Sequence, residues 1–265
     1  MEKEAQFLKK FEILKALILN AKRMVVFTGA GVSTLSGIPD FRSSSGVYAK
    51  RFQDLDVEQI LNISFFKKHP EIFYSWAKDI WYHLEDFKPN IVHTTLSKLE
   101  QKGYMQALYT QNIDMLHKKA GSKKLYELHG SAEHHHCTNC NSFFTYEQIA
   151  PQVKEGKVPI CPQCKGVIKP DIVFYGENLD SLLLARAYEQ FTHTDLCLVL
   201  GSSLQVNPAA SFPYYATSNG APLVLVNAQK TNQDGAATLK FSDLEQLFTA
   251  LSRWTDSIVE RKPLL

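Results

Sequence analysis

Four of the five cysteines fall in two pairs, Cys137-Thr138-Asn139-Cys140 and Cys161-Pro162-Gln163-Cys164, with twenty residues between them. A Cys-x-x-Cys turn aims two thiolates at one point while its backbone amides face them. Two such turns complete a closed tetrahedral zinc shell. Four protein ligands leave no open position, so the expected zinc is structural. The chain must therefore carry a small module that folds back on itself between Cys137 and Cys164. Neither pair opens a helix of a thioredoxin-like unit, which weakens a redox reading. A zinc deaminase needs His-x-Glu and Pro-Cys-x-x-Cys, but here Ile160 precedes Cys161. Cysteines used this way suit a reducing compartment. The fifth, Cys197, lies in an apolar run and reads as inert core.

The remainder has a different rhythm. Short apolar runs at 24–28, 105–110, 195–200 and 223–226 read as buried strands. Helical spacing marks 4–21, 70–86, 92–103, 179–191, 207–219 and 242–254 between them. This alternation predicts an α/β fold, a doubly wound, Rossmann-like parallel sheet with helices on both faces. Residues 132–175, with the paired cysteines, His134-His135-His136, Gly156 and Pro159, interrupt it as an insert. The 265 residues are thus expected to form a single region with an insert, a large lobe at about 1–131 and 176–265 and a zinc-binding module at about 132–175.

Charge is nearly balanced, with 29 Lys plus Arg against 27 Asp plus Glu, so bulk charge points to neither nucleic acid nor membrane. The start, Met1-Glu2-Lys3-Glu4, leads into a stretch interrupted by Lys9, Lys10, Glu12 and Lys15, unlike a secretory leader. The longest apolar runs are far too short to span a bilayer. A soluble, cytoplasmic protein is expected. The lysine pairs at 67–68, 118–119 and 123–124 read as solvated faces. Ser43-Ser44-Ser45-Gly46 reads as a short flexible patch.

The first strand runs into Thr28-Gly29-Ala30-Gly31-Val32-Ser33. Glycines here let a backbone turn tightly and approach a pyrophosphate, with helix N-terminal amides facing the charge. The dinucleotide fingerprint is incomplete, because Leu35 stands where its third glycine belongs, and no Gly-Lys-Ser/Thr follows for a P-loop. Next comes Ser36-Gly37-Ile38-Pro39-Asp40-Phe41-Arg42-Ser43, a shaped loop offering an aromatic face and a phosphate-binding fork.

These segments, followed in order by Thr110-Gln111-Asn112-Ile113-Asp114, His129-Gly130, the cysteine knuckles, the run from Lys169 to Glu177, Gly201-Ser202-Ser203-Leu204 and Val226-Asn227-Ala228, resemble the sirtuins. Sirtuins are NAD-dependent protein deacylases, and the likeness is greatest to their bacterial deacetylase branch. It spans roughly residues 20–245. The resemblance implies two cofactors, NAD and zinc, the zinc on Cys137, Cys140, Cys161 and Cys164. It implies that NAD lies between the sheet lobe and the zinc module while acetyl-lysine enters from the other side. The acetyl oxygen then attacks the ribose carbon bearing nicotinamide. His129, the implied general base, deprotonates a ribose hydroxyl, and the products are lysine and O-acetyl-ADP-ribose.

By the same resemblance, Asn112 and Gln111 order the ribose and a water. Phe41 covers the ribose face. Ile113 and Asp114 hold the carboxamide. Arg42 and the Gly29 and Ala30 amides meet the phosphates. Ser202, Ser203 and Asn227 hold the adenosine half, and the segment 239–243 closes over the adenine. Ser33, Thr34 and Asp40 complete the NAD set. The peptide is expected to add as a strand beside Gly176-Glu177 and Gln205-Val206-Asn207-Pro208, with Val173 and Phe174 lining the lysine tunnel. The chain has Gly201-Ser202-Ser203 where the family commonly has Gly-Thr-Ser, which keeps a hydroxyl. Tyr74-Ser75-Trp76-Ala77 puts alanine where the desuccinylase branch has arginine, and Asp40 is kept, which together favour uncharged acyl groups.

Protein ADP-ribosylation or NAD hydrolysis by the same site is the alternative enzyme reading. A zinc-ribbon nucleic-acid module is the non-enzymatic one, but it predicts a strongly basic ribbon with stacking aromatics. The expected partners are acetylated-lysine proteins or peptides, without nucleic acid or membrane, and the expected state is a monomer.

Overall fold

All five residues of strand β1 (Met24–Thr28) are buried, so both its faces need cover. Helix α1 (Glu2–Asn20) precedes it and turns Phe11, Leu14 and Ile18 inward at helical spacing. Then come strands β2 (Arg51–Phe52) and β3 (Leu55–Asp56), helices α2 (Val57–Ile60), α3 (Ile63–Lys68), α4 (Pro70–Trp81) and α5 (Ile91–Gln101), and strand β4 (Met105–Thr110). Helix α6 (Leu116–Lys119), strands β5 (Leu125–Glu127), β6 (Gly130–Cys137) and β7 (Phe143–Thr145), helix α7 (Tyr146–Lys154) and strand β8 (Ile168–Ile172) follow. Helix α8 (Ser181–Thr192), strand β9 (Leu196–Leu200), helix α9 (Phe212–Ser218), strands β10 (Leu223–Val226) and β11 (Leu239–Phe241) and helix α10 (Leu244–Ser257) complete the chain. This computed structural model describes residues 2–43 and 46–261, so Met1 and the Ser44-Ser45 part of the expected flexible patch lie outside the described residues.

Six strands form one sheet in the order β11-β10-β9-β1-β4-β5, every pairing parallel. The chain works outward from β1 to β5, returns to β9 and works outward again to β11. Its direction of winding therefore reverses between β1 and β9, the position at which open parallel sheets bind ligands. Alternate residues of β1 serve opposite layers. Met24 and Val26 join a core with Leu14, Leu96 and Leu247, while Val25 and Phe27 join another with Ala187, Phe191 and Phe212.

A second sheet, β7-β6-β8, is antiparallel and carries the cysteine knuckles at its edge. Gly130 begins β6 with φ of +76°, and a Cβ there would stand 1.9 Å from the Asp171 oxygen, so glycine alone fits. The core beneath this sheet is aromatic. It joins Tyr146 and Phe174 to Phe66, Phe73, Trp76, Trp81 and Tyr82 from α3, α4 and the turn after it. Residues 47–84, grouped with the large lobe in the sequence reading, thus share a core with the insert.

Helix α4 stops at Trp81, short of 86, and gives way to a 3-10 turn at Leu84–Asp86. Helix α9 starts at Phe212 rather than 207, after the 3-10 turn Ala209–Ser211, with Pro213 in its first turn. Strands β5 and β11 carry no sequence signature, because three residues each, with a charged member, give no periodicity. No helix among the described residues is long and apolar enough to cross a membrane.

Helix α5 begins with a capping box. The Asn90 side chain accepts from Val92 N at 2.9 Å, and His93 Nδ1 accepts from Asn90 N at 3.2 Å. Asn90 Nδ2 also donates to Val32 O and Ser36 Oγ, both at 2.8 Å, pinning the turn after β1. The His93 ring lies 4.6 Å from that of His117, whose Nε2 meets Thr28 Oγ1 at 3.0 Å. Burial lowers His93 to about 4 and His117 well below the ordinary histidine value. Both stay neutral when folded but titrate near 6.5 when unfolded, so the unfolded chain binds more protons between those values. Their stabilising share is complete above pH 6.5 and is lost as the pH falls toward 4. Denaturant titrations at pH 7.5 and pH 5 should show a loss of about 2 kcal/mol from His93 alone, and equal stability at the two pH values would contradict this burial account.

Candidate active site and metal centre

The turn after β1 is the 3-10 helix Ala30–Ser36 rather than the start of an α-helix. Its first glycines touch the loop after β9. A Cβ on Gly29 would lie 2.8 Å from Gly201 O, and one on Gly31 would lie 2.8 Å from Gly201 Cα. Gly201 itself has φ of +60°. Gly29 N donates to Leu200 O and Gly31 N to Gly201 O, each at 2.9 Å. This corrects the role expected of the Gly29 amide. Its N–H is engaged in joining the two loops, and the residue's contribution is close approach.

Where these loops meet the smaller lobe, a cavity of about 570 Å³ opens. Gly29, Ala30, Thr34, Asp40, Phe41 and Arg42 line it from the β1 side, and Gln111, Asn112, Ile113 and His129 from the ends of β4 and β5. Ser202, Ser203 and Asn227 line it beyond β9 and β10, while Val173, Phe174, Gly176, Glu177 and Val206 form the opposite wall. Ser33 and Asp114 are not in this lining. They are buried behind it, where Ser33 Oγ donates to Asp114 Oδ2 at 2.5 Å and Leu116 N donates to Oδ1 at 2.9 Å. Burial raises the Asp114 carboxyl above its usual range even so. The carboxamide contact expected of Asp114 is therefore not preformed, its carboxylate being taken by Ser33 and the Leu116 amide.

Asn112 links the layers, its Nδ2 donating to Gly29 O at 3.1 Å and Ser33 Oγ at 3.2 Å. Gln111 Nε2 donates to Ser202 Oγ at 2.7 Å, tying β4 to β9 across the sheet's switch point. His129 Nδ1 donates to Gln111 O at 3.1 Å, which fixes the tautomer and leaves Nε2 with a lone pair. Burial, helped by the Arg42 charge, holds the His129 pKa below 6.5 despite that bond. The imidazole is therefore a neutral base at pH 7.

The opposite wall is held by a half-buried ion pair. Glu177 Oε2 accepts from Phe174 N at 2.8 Å and lies 2.9 Å from Lys169 Nζ, which sits 4.2 Å from the Phe174 ring centre. Tyr74 and Ala77 are buried in the aromatic core, and Tyr74 Oη donates to Ile168 O. Neither lines the cavity. Trp81, one turn beyond Ala77, does line it, with Leu61 and Ile172. The sequence offered no signal for Trp81, Tyr48 or Gln229, and Tyr175 stands in the run 169–177 without an assigned role. Of the segment 239–243 expected to cover the adenine, Leu239–Phe241 is strand β11 and Ser242 and Asp243 line the cavity, as do Leu244 and Glu245 beyond it.

The four cysteine sulfurs lie within 4.8 Å of one another. The Cys137–Cys164 pair is 3.3 Å apart and the Cys140–Cys161 pair 3.7 Å, near the ~3.8 Å edge of a tetrahedron with zinc–sulfur bonds of about 2.3 Å. Asn139 N and Gly166 N each point at a cysteine sulfur from 3.4 Å, as knuckle amides do. All four are free thiols with closed-shell geometry, so the set fits a structural zinc. His134, His135 and His136 are strand residues. His135 Nε2 meets Tyr82 Oη at 3.0 Å, and His136 Nδ1 meets Asp171 at 2.7 Å.

A doubly wound sheet with a cysteine-stapled second lobe and a histidine-bearing cleft between them defines a nucleotide-dependent enzyme class. Comparisons sharpen this. The model of the Sir2 family matches residues 29–208. The NAD-dependent protein deacetylase of Thermotoga maritima is 45% identical over 226 residues, covering 85% of this chain and 90% of that one. A solved structure of Sir2 with a p53 peptide and NAD+ is 41% identical, with a TM-score of 0.81 over 92% of this chain and 96% of that chain. Another, of Sir2 with the inhibitor EX-527, 2′-O-acetyl-ADP-ribose and deacetylated p53 peptide, is 39% identical with a TM-score of 0.80 over 92% and 97%. The chain belongs to the Sir2 family.

Chelation at equilibrium should remove one zinc per chain, melt the β7-β6-β8 sheet and abolish ligand binding in the cleft. Metal analysis with circular dichroism checks this, and an unchanged fold after verified zinc loss would contradict a structural role.

Proposed function

We propose that this chain is an NAD-dependent protein lysine deacetylase that releases nicotinamide and O-acetyl-ADP-ribose. The supporting observation is the placement of His129, a neutral base of fixed tautomer, in one cavity with Phe41, Arg42, Asn112, Ser202, Ser203 and Asn227. Bound NAD supplies a ribose carbon from which nicotinamide can leave. Arg42 and the close backbone at Gly29 and Ala30 would receive the pyrophosphate, and Ser202, Ser203 and Asn227 the adenosine half. Thr34 and Asp40 belong to the same wall. Asp40 shapes it, since its Oδ1 accepts from Arg42 N and Ser43 N at 2.9 and 2.7 Å. Asn112 and Gln111 would orient the ribose, with Ile113 against the nicotinamide. Ser33 and Asp114 act through Asn112 and the turn they brace.

Val173, Phe174, Gly176, Glu177 and Val206 would take the peptide and its acylated side chain. Leu61, Trp81 and Ile172 supply apolar wall, which suits an acetyl or other uncharged acyl group. Phe41 packs at 5.3 Å against the Tyr48 ring and would shield the ribose from water. His129 Nε2 would then take a proton from a ribose hydroxyl so that its oxygen can attack the acyl carbon, lysine leaving as the protonated amine and one water adding to the acyl carbon to give O-acetyl-ADP-ribose. Cys137, Cys140, Cys161 and Cys164 would hold zinc away from the chemistry. We further infer a monomeric, cytoplasmic enzyme that acts on acetylated proteins without binding nucleic acid. Its sheet lobe is taken to span about 1–131 and 176–265, less the 47–84 stretch that packs with the zinc module.

Mass spectrometry of an acetylated peptide incubated with NAD should give free lysine peptide and O-acetyl-ADP-ribose in equal amounts. ADP-ribosylated peptide would favour transfer, and ADP-ribose alone would favour hydrolysis. His129→Ala should lower turnover by about 10²–10⁴-fold while leaving NAD binding intact. Because the base is active when neutral and its pKa is depressed, the acid limb of kcat/KM should fall below pH 6.5. A limb above 7 would remove His129 from that role.

A further inference from the structure

The loop bearing Phe41 and Arg42 lines the cavity. Its backbone closes mainly on itself. Val47 N donates to Asp40 O at 2.8 Å and Tyr48 N to Phe41 O at 2.9 Å. These bonds make Tyr48 the loop's base plate. The Phe41 ring rests 5.3 Å from its ring, and the Arg42 guanidinium lies 5.1 Å from its ring centre. Tyr48 Oη in turn lies 2.9 Å from Tyr175 Oη, a contact between residues 127 apart in sequence.

Tyr175 is anchored independently. Its N donates to Leu61 O at 2.9 Å, and its O accepts from Ile63 N at 3.0 Å. It lies between Phe174 and Gly176, in the wall proposed for the peptide. Burial and the partner hydroxyl raise the Tyr48 phenol far above its ordinary value, so its hydroxyl keeps its proton in this contact.

We propose that the Tyr48–Tyr175 hydroxyl pair is a positioning contact that ties the loop carrying Phe41 and Arg42 to the peptide-receiving segment, so that each ligand strengthens binding of the other. The inference rests on the function proposed above. A peptide that orders residues 173–177 holds Tyr175, which holds Tyr48 and with it the ring and guanidinium facing the cofactor. Linkage makes the effect reciprocal.

Calorimetry with carba-NAD, a non-reacting analogue, tests this on the wild type, Tyr48→Phe, Tyr175→Phe and the double variant, each with and without saturating acetylated peptide. In the wild type, peptide should tighten carba-NAD binding. In each single variant the peptide-bound affinity should fall about three- to tenfold, the range for one lost hydroxyl contact. The double variant should be no weaker than the singles, because all three lose the same bond. In turnover, KM for NAD should rise by more than kcat falls. Losses that multiply in the double variant, or equal losses with and without peptide, would overturn the contact as a coupling device. A wild type that binds no carba-NAD would instead overturn the reading of the cavity and this inference with it.

Discussion

Two loops can touch at the middle of this sheet only because glycines stand where they come closest, Gly29 and Gly31 on one and Gly201 on the other. Gly29 and Gly31 meet Gly201 and Ser202 at distances that no Cβ tolerates. The contact closes the floor of the cleft and lets Gln111 reach Ser202 and Asn112 reach Gly29 O. Those bonds in turn present the Gln111 carbonyl to His129. The base's tautomer is thus connected, through three hydrogen bonds, to the absence of methyl groups at the crossing of β1 and β9. Glycines in such turns are commonly read as room for a phosphate. Here the first room they make is for another part of the protein.

The smaller lobe supplies the other half of the cleft by unrelated means. Its core is aromatic, centred on Phe66, Phe73, Trp81 and Phe174, and the cysteine knuckles close its edge. Neither lobe forms the cavity alone. The sheet lobe brings hydrogen-bonding groups on strand ends, and the smaller lobe brings apolar surface at Trp81, Leu61 and Ile172. A site divided this way suits chemistry in which a charged dinucleotide must meet an uncharged acyl group out of bulk water.

Much of this was legible in the residues. The runs at 24–28, 105–110 and 223–226 coincide with β1, β4 and β10, because parallel strands buried on both faces read as mostly apolar stretches, Gln106 being the one exposed residue of the three. The cysteine spacing marked the metal set because its constraint is local. What stayed hidden depends on distant neighbours. That residues 47–84 pack with the insert is decided by which aromatic faces meet. Nothing near Ser33 or Asp114 in sequence says that they bond each other behind the wall, and nothing near Tyr48 points 127 residues onward to Tyr175. Ala77 stands beside a tyrosine in a suggestive pattern, yet the turn of α4 directs it into the core and leaves Trp81 to face the cleft.

The dependence on that glycine crossing is tested most directly by titrating NAD calorimetrically into Gly31→Ala, with circular dichroism confirming that the chain remains folded. The added methyl must push the two loops apart, so a folded variant with little or no heat of NAD binding is the expected result. A folded variant that binds NAD as tightly as the wild type would show that the cleft does not rest on this contact.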